Sequence, residues 1–386
     1  MTLFDEELEK IKGQGLLRSL RTVSSAQGPE IEIDGRRVLN FCSNNYLGLA
    51  DEPRVVEAAV EAARNFGAGS GAARLISGNN TLYDELEAEL ARWKGTESAL
   101  VFNSGYHANI GAIPALAGEG GAIFSDELNH ASLIDGCRLS KAETVVYRHN
   151  DLNHLEDLLK STPLPTLSPV MGERVAGGRV RVIVTEAVFS MEGDVSPLDG
   201  LLALAQKYDA LIYLDEAHAV GVFGKDGEGL AAKNPPENLI CMGTLGKAFG
   251  SYGAFVCGSR SLRDYLINKA RSFIFSTALP PGALGASLAA LKIVREEPER
   301  RERLWGNVKM LKGRSPIISI KIGDARKTME ISQRLFDKGI FLQGIRPPTV
   351  PEGTSRLRLT LMAMHTEGQI QKLLQALTNV GVRPYY

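Results

Sequence analysis

Lys247 stands between glycines in Thr244-Leu-Gly-Lys-Ala-Phe-Gly250, directly after the apolar run Leu239-Ile-Cys-Met242. That order sets an amine just past the end of a buried strand, whereas most lysines are solvated surface charges. Earlier in the chain a second apolar run, Leu211-Ile-Tyr-Leu214, ends in Asp215-Glu-Ala-His218. In a parallel sheet the carboxyl ends of the strands share one edge, so Asp215, His218 and Lys247 converge there although they are distant in sequence. An amine, an acid and an imidazole in that arrangement suit pyridoxal 5'-phosphate (PLP) carried covalently on the lysine. The acid pairs with the pyridine nitrogen and keeps the ring an electron sink, while the lysine holds the aldehyde carbon and moves protons.

Such convergence requires a sheet. Apolar runs at 98–102, 121–125, 144–147, 180–184, 211–214, 239–242 and 254–257 alternate with helical spacing, for example at 197–208. The pattern predicts an α/β fold whose mostly parallel sheet is covered on both faces. Between the first two runs, Asn103-Ser-Gly-Tyr-His107 opens a helix over 108–117. A glycine turn at a helix N-terminus presents free N–H groups and a positive dipole end, where a phosphate belongs.

The glycine string at 65–74 has neither a preceding strand nor dinucleotide or P-loop spacing. It is read as close-packed backbone beside the site, supplied across a subunit interface. A helix is expected at 53–66, and Thr81 should cap the next one, with Leu82, Leu86, Leu90 and Trp93 as its buried stripe. Phe41-Cys-Ser-Asn-Asn-Tyr-Leu-Gly48 suits a substrate-facing loop, and the Pro- and Gly-rich stretch 164–178 suits a solvated excursion.

At the N-terminus the spacing of Leu8, Ile11, Leu16 and Leu20 predicts a helix over 4–20, and Asp34-Gly35 marks a hairpin turn within 31–39. Past Arg295 the runs at 315–322, 339–342 and 356–360 predict half-exposed strands of a smaller α/β domain. A chain of 386 residues exceeds one ordinary core. The expected division is an N-terminal arm at 1–45, a large domain at 46–285 and a small one at 286–386.

A net charge of -1 with 44% apolar and 23% charged residues argues against a nucleic-acid or anionic-membrane partner. Cys42, Cys137, Cys241 and Cys257 are scattered, which suggests neither disulfides nor a metal site. No uncharged apolar stretch reaches the roughly 18 to 20 residues of a membrane span, and the start of the chain lacks a secretory pattern, so a cytoplasmic protein is expected.

The segments Asp215-Glu-Ala-His-Ala-Val-Gly-Val-Phe-Gly224 and Thr244-Leu-Gly-Lys-Ala-Phe-Gly250 resemble those of the α-oxoamine synthases, PLP enzymes of fold type I, and the likeness runs over residues 15–365. The resemblance implies a seven-stranded central sheet with a smaller C-terminal α/β domain and an N-terminal arm, assembled as a homodimer with shared active sites. It implies that Gly105, Tyr106, His130, Ser190, Asp215, His218, Thr244, Lys247, Ser276 and Thr277 hold the cofactor, with His130 stacked on its ring. Ser276 and Thr277 would reach the phosphate of a neighbouring subunit's cofactor.

For the substrates it implies Asn44 and Arg358 as a carboxylate clamp. Arg21, with Arg18 as second choice, would meet the acyl chain's carboxylate, Arg346 would lie near the carboxylate-binding region, and Thr349 would also bind substrate. The implied reaction is decarboxylative condensation of an amino acid with an acyl thioester. The string Ile345-Arg-Pro-Pro-Thr349 points within the family to L-alanine and a pimeloyl thioester on coenzyme A or a carrier protein, ahead of glycine and acetyl-CoA. A non-catalytic PLP-fold binding protein would have no need to keep Asp215, His218, Lys247 and His130 together. Between Trp305 and Ser315 the chain is shorter than the family pattern.

Overall fold

The computed structural model describes residues 2–162, 180–231 and 233–383, so the expected excursion at 164–178 lies outside the described residues. In chain order the strands are β1 (Glu30–Ile33), β2 (Arg36–Asn40), β3 (Ser98–Phe102), β4 (Ala122–Asp126), β5 (Glu143–Tyr147), β6 (Arg181–Glu186), β7 (Ala210–Asp215), β8 (Leu239–Thr244), β9 (Ala254–Gly258), β10 (Ile317–Gly323), β11 (Ile340–Phe341), β12 (Gly344–Ile345) and β13 (Ser355–Thr360). They fall into two compact units. One comprises Met1–Asp51, Ser190–Asp194 and Glu299–Tyr386, the other Glu52–Phe189 and Val195–Pro298.

The second unit contains the seven-stranded sheet, in the order β3-β9-β8-β7-β6-β4-β5. Only β9 runs against its neighbours; the other pairs are parallel. Strand β8 is buried at every position and β7 at all but one, which is why these strands are continuous apolar runs without alternation. Leu100, Ile123, Val182, Tyr213 and Met242 belong to one core cluster with residues of the Gly105–Leu116 helix. The register Glu186↔Asp215 and Asp215↔Met242 brings the carboxyl ends of β6, β7 and β8 level. Behind this edge Lys94 and Glu216, both fully buried, form an ion pair. Lys94 also donates to Glu228 O at 2.6 Å, which ties the residue after Asp215 to the loop that follows.

In the first unit the hairpin forms as expected. Asp34 and Gly35 take φ of 52° and 73°, the left-handed pair that a two-residue hairpin turn requires. β2 continues into β11 by parallel pairing, Ile340↔Leu39 and Phe341↔Asn40. The N-terminal residues therefore share a sheet with C-terminal ones, and the contacts divide the chain near 51 and 298, where the sequence suggested 45 and 285. A second sheet has the order β10-β13-β12.

Several local expectations are corrected. The first helix is Leu3–Gly13 and buries none of its residues; Gly15 at φ 71° turns the chain out of helical geometry before Leu16. The helix Thr81–Lys94 is capped by Asn80, whose side chain accepts from Leu82 N, so Thr81 is its first residue. Tyr83 is buried in it, and Leu82 is half-buried. Residues 65–69 are exposed, and a Cβ built at Gly69 or Gly71 would meet nothing within 4 Å, so this stretch is not close-packed within the chain. β13 is buried throughout, because the guanidinium groups of Arg356 and Arg358 find internal partners in place of solvent. The short region after Trp305 is an ordinary helix end: Pro298–Met310 is followed by Gly313 N donating to Val308 O, and β10 begins soon after.

Candidate active site

The loop from Leu245 to Gly253 carries Lys247. It is closed at its base by Leu245 N donating to Gly253 O at 2.9 Å, and Gly250 N returns to Lys247 O. The Thr244 hydroxyl donates to Gly253 O and accepts from Gly246 N. Thr244, expected to hold the cofactor, thus fixes the loop bearing the lysine. Lys247 Nζ lies 2.8 Å from His218 Nε2, so β7 and β8 do bring the amine and the imidazole together.

Asp215 is 5% exposed. Its Oδ1 accepts from Ala217 N at 2.8 Å and its Oδ2 from Asn109 Nδ2 at 2.9 Å. Among the described residues no lysine, arginine or histidine pairs with it. A buried carboxylate held only by neutral donors lacks its counter-charge, and a protonated pyridine nitrogen is a cation of the right kind.

His130 is the N-cap of the Ala131–Leu139 helix. The residue reaches the surface, but its Nδ1 edge lies against buried groups, 2.7 Å from Ser132 Oγ. Burial holds its pKa below 6.5; Asp215 opposes that shift and Lys247 adds to it. His130 N donates to Glu186 Oε1, which seats the histidine at the end of β6. Ser104 caps the Gly105–Leu116 helix by accepting from His107 N, which leaves the first-turn N–H groups of Gly105 and Tyr106 outside the helical ladder. The Tyr106 hydroxyl donates to Asp135. Ser276 is half-buried and Thr277 exposed, with Asn103 Nδ2 donating to Thr277 O.

The donor set fits PLP: an amine against an imidazole, an unmatched carboxylate, an open imidazole face and a helix N-terminus for the phosphate. Sequence reading missed Asn109, Ser132 and Glu186, which support Asp215 and His130. Ser132 stands two residues after His130 and could have been found from that spacing, but nothing short of tertiary structure marks Asn109, since an asparagine inside an apolar helix carries no motif.

The other expected residues lie in the first unit. Arg358 NH1 and NH2 both lie 3.2 Å from Asn44 Oδ1, and its Nε donates to Ser190 O. Ser190 therefore packs with Arg358 in this unit. Arg356 pairs with Glu192 two residues on. Arg346 is 7% exposed and donates to Leu17 O and Met329 Sδ, while its buried Nε has no partner among the described residues. Arg18 NH2 donates to Pro347 O at 3.1 Å and reaches Thr349 Oγ1 at 3.5 Å. Burial, and then the nearby Arg18, lower the Arg346 pKa. Arg21 instead lies 4.2 Å above the Phe336 ring and binds Gln333 and Asp34.

The seven-stranded sheet with Lys247, His218 and Asp215 at its carboxyl edge defines a PLP-dependent transferase of fold type I. The chain belongs to the family described as aminotransferase class I and II, whose model matches residues 36–377. Within it the resemblance to the α-oxoamine synthases holds. Curated relatives described as 8-amino-7-oxononanoate synthase are 48% identical in Trichlorobacter lovleyi, covering 99% of this chain and 98% of that protein, and 48% in Geobacter sulfurreducens, covering 97% of each. A solved serine palmitoyltransferase from S. paucimobilis, with PLP and myriocin bound, matches at TM-score 0.87 and 31% identity over 98% of this chain and 97% of that one. The 8-amino-7-oxononanoate synthase of Francisella tularensis matches at 0.72 and 32% over 89% and 96%. No described helix is long and apolar enough to cross a membrane.

Proposed function

We propose that the protein condenses L-alanine with a pimeloyl thioester to give 8-amino-7-oxononanoate, carbon dioxide and the free thiol, a step of biotin biosynthesis. The observation that carries this reading is the buried Asp215 carboxylate, paired with no lysine, arginine or histidine among the described residues, on the strand edge that also carries the Lys247–His218 pair, in a chain 48% identical over nearly its whole length to relatives of that name. Bound PLP supplies an electron sink for charge developing at the Cα of the amino acid. Asp215 provides the negative charge that opposes the ring nitrogen. The Lys247 amine takes the Cα proton, with His218 Nε2 fixing its position at 2.8 Å. His130 covers one ring face, and the Gly105 and Tyr106 N–H groups bind the phosphate.

Arg358 and Asn44 bind the alanine carboxylate, for which a guanidinium offers two parallel donors. Orientation of that carboxylate decides which Cα bond breaks. For the far carboxylate of the acyl chain, contact with Thr349 and proximity to Arg346 favour Arg18 over Arg21. Ser276 and Thr277 serve the cofactor of a second subunit in a cytoplasmic homodimer.

The test is thiol release from L-alanine or glycine crossed with pimeloyl-CoA or acetyl-CoA. L-Alanine with pimeloyl-CoA should be fastest; a faster reaction of glycine with acetyl-CoA would overturn the assignment. Lys247→Ala should abolish turnover in every combination, and borohydride reduction of the unaltered enzyme should leave a pyridoxyl label on Lys247 alone.

A further inference from the structure

Asn109 lies in the second turn of the Gly105–Leu116 helix, 1% exposed, and all of its side-chain polar groups have partners. Nδ2 donates one hydrogen to Asp215 Oδ2 at 2.9 Å and the other to Ser132 Oγ at 2.8 Å. Oδ1 accepts from the Tyr213 hydroxyl at 3.0 Å. The amide has one workable orientation, since a flip would set its oxygen against the Asp215 carboxylate. Tyr213 is itself fully buried on β7, and burial, with Asp215 and Cys241 adding to it, pushes its pKa well above 10, so it remains a donor.

From Ser132 the network continues to His130. Ser132 N donates to His130 Nδ1 at 3.2 Å, which makes Nδ1 an acceptor, and Ser132 Oγ sits 2.7 Å from the same atom. With its oxygen taken up by Asn109, the serine hydroxyl donates to Nδ1, and the proton of the neutral imidazole lies on Nε2. One amide therefore holds the carboxylate that faces the ring nitrogen and, through one hydroxyl, steadies the imidazole that covers the ring in the tautomer that the Ser132 N–H imposes.

We propose that Asn109 is a positioning residue for the cofactor, anchored by Tyr213, which orients Asp215 directly and His130 through Ser132. The proposal rests on the reading that this site binds PLP, and it goes beyond that reading by assigning the orientation of both partners to a residue that touches neither cofactor nor substrate.

The experiment measures PLP dissociation constants and the visible absorption band of bound PLP in the unaltered chain, Asn109→Asp and Tyr213→Phe. Thermal midpoints of the PLP-free proteins are recorded alongside. Asn109→Asp exchanges a donor for a second carboxylate at nearly constant size. It should weaken PLP binding at least about tenfold, as expected for loss of a hydrogen bond to a charged group, and should shift the absorption band. Tyr213→Phe removes the donor that anchors Asn109 Oδ1 and should move both readouts in the same direction by a smaller factor. If Asn109→Asp does not fold, Asn109→Ser serves in its place. A folded Asn109 variant with lowered thermal midpoint but unchanged PLP affinity and band would make Asn109 a packing residue and overturn the proposal. Failure of the unaltered chain to bind PLP would instead overturn the reading of the site.

Discussion

A single arginine separates two readings of substrate recognition. Arg21 and Arg18 are both in the N-terminal stretch, and the family resemblance favoured Arg21; the fold gives Arg21 a ring to stack on and two side-chain acceptors. Arg18 has a backbone carbonyl and the Thr349 hydroxyl, close to an Arg346 whose buried Nε is unpaired among the described residues. Two guanidinium groups held near each other repel unless an anion joins them, and the pimeloyl carboxylate is such an anion. A charge-assisted hydrogen bond contributes about 1.5 to 3 kcal/mol, so Arg18→Ala should reduce kcat/KM for pimeloyl-CoA by about one to two powers of ten. Arg21→Ala should reduce it by much less. Loss of activity in Arg21→Ala with Arg18→Ala unaffected would reverse the assignment.

At the scale of elements, the strands that deliver chemistry were readable because burial on both faces makes them unbroken apolar runs, and the functional residues follow them directly. Asp215 ends β7, and Lys247 lies just beyond β8. What the sequence hid was set by distant contacts. β13 reads as half-exposed because Arg356 and Arg358 alternate with leucines, yet both arginines are buried among acceptors from 44 and 190–192.

His365 is a similar case, unremarked in sequence and 4% exposed. Its Nε2 donates to Asn40 O at 2.9 Å, its Nδ1 accepts from Met362 N at 3.0 Å, and its ring stacks on Phe41. Burial lowers its pKa from 6.5 to about 4, against the opposing hydrogen bond to Asn40. Between those values the unfolded chain binds more protons than the folded one, so the stability contribution is present above pH 6.5 and is lost as pH falls through 4. The difference corresponds to about 3 kcal/mol. The urea midpoint should fall over that interval, and His365→Gln should flatten the slope there. An unchanged slope would mean that other groups govern acid unfolding.

On the scale of the whole chain, the unit that contains Arg358 is assembled from three separated segments, including Ser190–Asp194 from the middle of the sequence. A linear reading cannot supply this, because β11 has only two residues and its partner β2 lies about three hundred positions earlier. The two parts of the N-terminal stretch should accordingly behave differently on removal. The helix Leu3–Gly13 buries no side chain, whereas Phe41, Tyr46, Leu47 and Leu49 are fully buried, each contributing about 1.5 to 3 kcal/mol by apolar burial. Deleting residues 2–13 should leave the thermal midpoint within about 2 °C, since little buried surface is lost. Deleting 2–51 removes β2 and uncovers β11, and the protein should lose its cooperative unfolding transition and Arg358-dependent activity together. Differential scanning calorimetry of the two truncations decides the matter: a large drop on removing 2–13 would show that the helix packs against something in the working enzyme. A cooperative transition surviving the longer deletion would show that the C-terminal segment folds without its N-terminal strand.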